Sequence, residues 1–358
     1  MRASFAAAAL VVFLITAAPK PAPFRPVPAT AVASDSLIRP GEGHFAHLWQ
    51  LTFGGQNAEA YWSHDGRKLI WQWSGEEWPC DQQYVMDLAT GARTRVSTGR
   101  GRTTCGYFHD RDQRVLFAST HAGGDSCPPN PDMSQGYVWP LYSTYDLWSA
   151  RPDGSDLRQL TDHAGYDAEG TVSVDGRWLV WTSKRDGDVD LYKMKLDGSG
   201  LTRLTHSVGY DGGAFFSHDG KRIVWRTHRT DDSAANATFH TLLAQDLVKP
   251  SKMDLWVMNA DGTKPRRITD KPGASFAPYW TPDDRAIIYA SNYENPRSRN
   301  FDLFLVPAAG GEPVPVTRDP DFDSFPMFSP DGRWLVFCAN RGGRVPGETN
   351  VFLAEWRR

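Results

Sequence analysis

The sequence predicts an all-β ring, a six-bladed β-propeller of four-stranded antiparallel blades, on three observations. A short apolar run recurs six times, an Asp-rich turn precedes each run, and the last copy of the unit is divided between the two ends of the chain.

The apolar runs are Leu69-Ile70-Trp71, Val115-Leu116-Phe117, Leu179-Val180-Trp181, Ile223-Val224-Trp225, Ile287-Ile288-Tyr289 and Leu335-Val336-Phe337. Branched and aromatic runs of this length read as buried strands. Ahead of them stand Asp65-Gly66, Asp110 to Asp112, Asp175-Gly176, Asp219-Gly220, Asp283-Asp284 and Asp331-Gly332. Asp-Gly tolerates the positive φ of a tight hairpin, so each pair folds a first strand back onto a second. Third strands open Asp146-Leu147-Trp148, Asp190-Leu191-Tyr192, Asp254-Leu255-Trp256 and Asp302-Leu303-Phe304, with looser copies at Gln83 and Asn350. A second turn, as at Asp153-Gly154 and Asp197-Gly198, leads into fourth strands ending Leu160-Thr161, Leu204-Thr205, Ile268-Thr269 and Val316-Thr317.

One meander cannot bury both of its faces, so blades stack around an axis. The sixth unit lacks a fourth strand, while an unmatched closing phrase stands at 47–52. The ring is therefore expected to close by pairing 47–52 with 350–356. The spacing from Asp175 to Asp219 is about 44 residues, a propeller period. This vocabulary resembles the TolB-like β-propeller repeat, above all at Ser329-Pro330-Asp331-Gly332-Arg333 and at Leu255-Trp256-Val257-Met258-Asn259. The likeness runs from about residue 47 to the end, with departures at Val174 and at the 109–112 turn. It implies an exported propeller that serves as a binding module or as an accessory to an enzyme.

The 358 residues hold one propeller, read as 1–33 signal peptide, 34–46 linker and 47–358 propeller. Met1-Arg2, the apolar stretch 5–18 and Ala31-Val32-Ala33 have the layout of a secretory signal. The apolar stretch is short for a spanning helix. A periplasmic or secreted monomer without stable membrane insertion is expected. The formal net charge of -3 and the lack of a basic run argue against nucleic acid. Export permits disulfides, and Cys80 with Cys127 is the expected pair, Cys105 being the competing partner.

Length is concentrated in two insertions, 121–144 and 228–253, on the face opposite the hairpins. The first carries Cys127-Pro128-Pro129 and the aromatics Tyr137, Trp139 and Tyr142; the second spaces Phe239, Leu242, Leu243 and Leu247 as a short amphipathic helix. Trp139 and Tyr142 are candidate contact residues. Aligning the first strands puts Glu59 and Glu169 in one register and Asp167, Asp211 and Asp323 in another, with Arg102 beside them. Near the axis these acids would receive a cation, a Lys or Arg side chain, or a peptide amine. The plainer reading pairs them with Arg102, Arg185, Arg229 or Arg341.

No Gly-x-Ser-x-Gly elbow occurs. His64, His109 and His218 read as surface turn residues, whereas His121, His163, His206 and His228 could approach one another, though not at metal-ligand spacing. The leading expectation is a non-catalytic scaffold binding a protein or peptide at the long-loop face and pore mouth, with no cofactor. The alternative is a metal-dependent glycan lyase or hydrolase at the pore, which would require a divalent cation there.

Overall fold

The computed structural model describes residues 24–134, 136–229 and 232–357. Six antiparallel sheets surround one axis, each running from an innermost first strand to a short outer fourth strand. The innermost strands are Gln56–Trp62, Thr103–His109, Asp167–Val172, Gly209–Phe216, Ser275–Trp280 and Asp323–Phe328. The predicted apolar runs form the second strands and are almost wholly buried, with Trp181, Trp225, Phe117 and Phe337 each at 0% exposure. They supply the packing between neighbouring blades, at about 25 cal/mol per Å² of apolar surface removed from water.

The recurring closing Thr has a structural reason. In five blades its hydroxyl accepts the backbone N–H of the second residue of the third strand, as Thr161 does from Leu147 at 2.9 Å, Thr205 from Leu191, Thr269 from Leu255, Thr317 from Leu303 and Thr52 from Val351. Ser97 does the same for Gln83 in the first blade. In blades 1 to 5 a fourth strand of only two or three residues is thereby fastened by a side chain where its ladder ends.

Closure occurs as the split copy predicts, with a shift of boundary. The fourth strand of blade 6 is Phe45–Gln50, two residues ahead of the expected 47–52, and it pairs with Asn350–Trp356. Leu51 still donates to Val351 at 2.8 Å, but Thr52 has turned to cap the ladder. Outside it lies a fifth strand, Val32–Ala33, paired with Gln50 and Trp49. The cleavage point expected after Ala33 coincides with this strand, and the apolar stretch 5–18 lies outside the described residues. Residues 34–46, read as a linker, are bonded to blade 6. Asp35 accepts the N–H of Leu48, and Glu42 is buried against Arg341. No helix among the described residues is long and apolar enough to cross a membrane.

The blade 4 insertion forms the helix Ser233–Leu243, capped by Asp232 accepting from Ala235 at 2.8 Å, with Phe239 and Leu243 buried. Leu247, expected on the same helix, instead begins the strand Leu247–Val248, which pairs with Trp139–Pro140 of the blade 2 insertion. The two insertions are thus joined into one lid on the long-loop face.

Candidate functional site

Each innermost strand slips register once, between Ala58 and Tyr61 in blade 1 and at the matching place in the other five. The extra residue has left-handed backbone: Glu59 (φ 54), Cys105 (54), Glu169 (57), Gly213 (58), Ala277 (50) and Phe325 (54). For a non-glycine residue this conformation costs on the order of 1 kcal/mol, and the surrounding sheet over-determines it. A bulge re-aims its side chain, and here it turns each toward the axis. Glu59 of blade 1 interacts with Cys105, Glu169 and Arg226, which belong to blades 2, 3 and 4.

Two residues deeper, Tyr61, Tyr107, Phe215 and Tyr279 close the channel toward the hairpin face. Phe215 lies edge-on to all three tyrosines, with centroids 5.6, 6.1 and 5.4 Å away. Toward the long-loop face, Trp139 of the lid packs on Tyr210 at 6.0 Å and Phe276 at 6.5 Å, with the Arg226 guanidinium 5.1 Å from its ring. Phe276 in turn meets Phe325 at 5.8 Å. A polar layer is therefore enclosed between two aromatic ones.

Within that layer Glu169 is fully engaged. It accepts from Thr182 at 2.7 Å, from Tyr210 at 2.7 Å and from the N–H of Gly213 at 2.9 Å, and it is ion-paired with Arg226. A β-carbon at Gly213 would stand 2.2 Å from Arg226 Nη1, so the guanidinium would have to shift to admit one. Glu59 is different. It takes a hydrogen bond from Cys105, while the cation it senses, Arg226, is already committed to Glu169. Although protein surrounds it, Glu59 keeps accessible surface, so it borders an internal space. Burial, reinforced by the charge of Glu169, pushes its carboxyl up to about 7. Burial first, then Glu59 and Glu169, holds the Cys105 thiol well above its ordinary range, so Cys105 is not a thiolate nucleophile at neutral pH.

The remaining aligned acids are placed elsewhere. Asp167, Asp211 and Asp323 are 1%, 0% and 0% exposed, two residues before the bulge. At that position the side chain returns across its own blade. Trp181 Nε1 donates to Asp167 at 3.0 Å and Trp225 Nε1 to Asp211 at 2.7 Å, while Arg185 and Arg229 complete the two sites. In blade 6, where Phe337 replaces the Trp, Arg341 holds Asp323 at 2.6 and 2.8 Å, with Thr317 also donating to it. These three acids are paired within the chain to Arg185, Arg229 and Arg341, the plainer of the two readings of the sequence. The Arg stands four residues after the Trp or Phe in each case, a spacing visible in the sequence.

Arg102 pairs with Asp81 at 3.3 Å and reaches Asn130 of the lid at 3.2 Å. Cys80 and Cys127 form the expected disulfide, leaving Cys105 and Cys338 free. Tyr142 donates to Pro129 O at 2.9 Å, so it braces the lid from within. His109, expected at the surface, is 4% exposed and bonded to Ser149 at 2.8 Å, and burial lowers its pKa to about 4. His64 and His218 each bind an Asp of the next blade, Asp112 and Asp284, at 2.8 Å. His121 packs on Trp148 at 4.3 Å, and His163 bonds to Ala164 O. Among the described residues no three His, Cys, Asp or Glu side chains are grouped to hold a metal. Sequence reasoning missed a cleft of about 1080 Å³ on the hairpin face, bordered by Arg111, Arg158 and Val174. Its signal was the missing Gly in blade 2, where Asp110, Arg111 and Asp112 all have positive φ.

No protein-family model matches the sequence, and no curated protein matches it. Solved structures do. A protein assigned as TolB from Agrobacterium tumefaciens superimposes with a TM-score of 0.55 at 18% identity, over 85% of this chain and 91% of that one. TolB from Acinetobacter baumannii gives 0.56 at 15% identity, over 81% of this chain and 63% of its own length. The fold is a TolB-like propeller. At these identities the likeness is one of architecture, and an oligogalacturonate lyase in complex with manganese shares it, with a TM-score of 0.53 at 15% identity over 93% and 97% of the two chains. The TolB-like ring therefore does not by itself assign a task.

Proposed function

We propose that this TolB-like propeller is an exported, non-catalytic scaffold that binds a protein or peptide at its long-loop face. The observation that carries the reading is the built lid. The 121–144 loop is tied down by Cys80–Cys127, braced by Tyr142 and paired through Trp139–Pro140 to the second insertion. It presents outward Tyr137 at 52% and Met133 at 45% exposure. A long loop ordered in this way has lost its entropy before any partner arrives, which favours recognition, and aromatic and Met side chains are enriched where proteins meet. Export is supported by the N-terminal apolar stretch and by the disulfide. The glycan-enzyme alternative needs acids converging on one metal, whereas Asp167, Asp211, Asp323 and Glu169 are occupied by donors of the same chain.

The test is capture from the native extracellular fraction by immobilised protein. Met133→Ser with Tyr137→Ser should reduce retention of the partner roughly tenfold, the loss of about 1.4 kcal/mol expected for two contact residues, with the melting temperature unchanged. Retention of the same partner in equal amount by the double variant overturns the reading.

A further inference from the structure

We propose that the axial channel beneath the lid is a binding site for a primary alkylammonium group, of the kind a lysine side chain of the partner carries, received by the Glu59 carboxylate. The inference deepens the scaffold reading and rests on it, since it names the part of the partner that enters the ring.

Three observations combine. Glu59 is itself the left-handed bulge residue (φ 54), a conformation unfavourable for Glu that turns it toward the axis. Among the described residues the cation that Glu59 senses is Arg226, whose Nη2 is directly ion-paired with Glu169. Among the described residues Glu59 has no direct ion pair of its own, and it still has accessible surface. An ionised group in such a place is costly unless a counter-charge arrives. The walls select which one. Above the layer lie Trp139, Phe276 and Phe325, and below it Tyr61 and Phe215, whose faces attract an ammonium and whose rings pack along a methylene chain. A divalent metal would need several anionic or neutral donors, whereas Glu169 is engaged by donors of the chain and Cys105 is held as a thiol. One carboxylate among aromatic rings suits an alkylammonium instead.

The probe is n-butylammonium chloride, titrated into the full chain at pH 8 and followed by saturation-transfer NMR, with sodium chloride at matched ionic strength as control. Saturable binding is expected for the natural protein, roughly tenfold or more weaker in Glu59→Gln, and intermediate in Glu59→Asp, which keeps the charge on a shorter arm. Melting curves of all three without amine establish that each is folded. No saturable binding by the natural protein, or equal affinity in folded Glu59→Gln, overturns the proposal. The two readings fail separately. Partner capture that survives Met133→Ser with Tyr137→Ser removes the scaffold reading whatever the amine does. Capture that is lost there, yet equal in the natural protein and Glu59→Gln, removes the channel assignment alone.

Discussion

Replacing Arg341 by leucine is expected to cost about 3–5 kcal/mol of folding stability at pH 7, the largest effect of any single change considered for this ring. Arg341 is 0% exposed and makes five directed contacts: Nε and Nη2 with Asp323, Nη1 and Nη2 with Glu42 at 2.8 and 2.6 Å, and Nη1 with Leu37 O at 3.1 Å. Asp319 lies 3.9 Å away. Leucine fills part of the volume but leaves Asp323 and Glu42 charged and buried, both at 0% side-chain exposure. It also releases residues 37–42 from blade 6, beside the strand that closes the ring. The carboxyl of Asp323 is pushed up to about 6 by burial even with Arg341 present. Without the guanidinium it takes a proton more readily, so the deficit of the variant should shrink as the pH falls toward 5. Urea unfolding at pH 7 and pH 5 reads both quantities. A loss below about 1 kcal/mol at pH 7 would mean that Arg341 is not the clasp between the N-terminal segment and blade 6.

The ring was legible in the sequence because its determinants are local. Asp-Gly turns, runs such as Leu179-Val180-Trp181 and the displaced closing phrase each specify a strand or a turn without reference to distant residues. Even the disulfide followed from placing Cys80 and Cys127 at the same end of neighbouring blades. The channel was legible only in part. The shared register of Glu59 and Glu169 was correct, but the bulge that turns them inward adds one residue to each innermost strand without altering its apolar composition. Nothing local therefore distinguished them from Asp167 and Asp211, which lie two positions earlier and point back at a Trp. The 34–46 segment, expected to be a linker, is held by scattered contacts that leave no sequence pattern, among them Ser34 N–H to Leu48 O, Arg39 to Asp319, and Arg341 to Leu37 O and Glu42. The union of the two insertions is a non-local pairing of two residues on each side, too short to leave a pattern.

Glu59→Gln should behave in the opposite sense to Arg341→Leu, raising stability at pH 8 by about 3 kcal/mol and leaving it unchanged near pH 4. The folded protein holds the Glu59 carboxyl at about 7, against an ordinary value of 4.5, chiefly through burial. Folding therefore takes up a proton between those values. Below about 4.5 the group is neutral in both states and costs nothing. As the pH rises through 7 the unfolded chain keeps its ionised carboxylate in water while the ring must hold the charge on its axis, so the penalty grows and then levels off. The groups facing Glu59 do not reverse this. Glu169 and Asp81 add to the rise, Arg226 and the Cys105 hydrogen bond oppose it, and the Tyr61 phenol is held well above its ordinary range. Glutamine keeps the shape and an acceptor for Cys105 and removes only the charge. Urea midpoints for both proteins at pH 4.5, 6 and 8 should diverge progressively, whereas a gap that is flat with pH, or a less stable variant at pH 8, would show that the carboxylate is neutralised by a partner within the chain. A ring that places an unpaired acid on its axis against its own stability has a position that an incoming cation can satisfy. Saturating n-butylammonium should accordingly narrow the gap at pH 8 by stabilising the natural protein and not the variant.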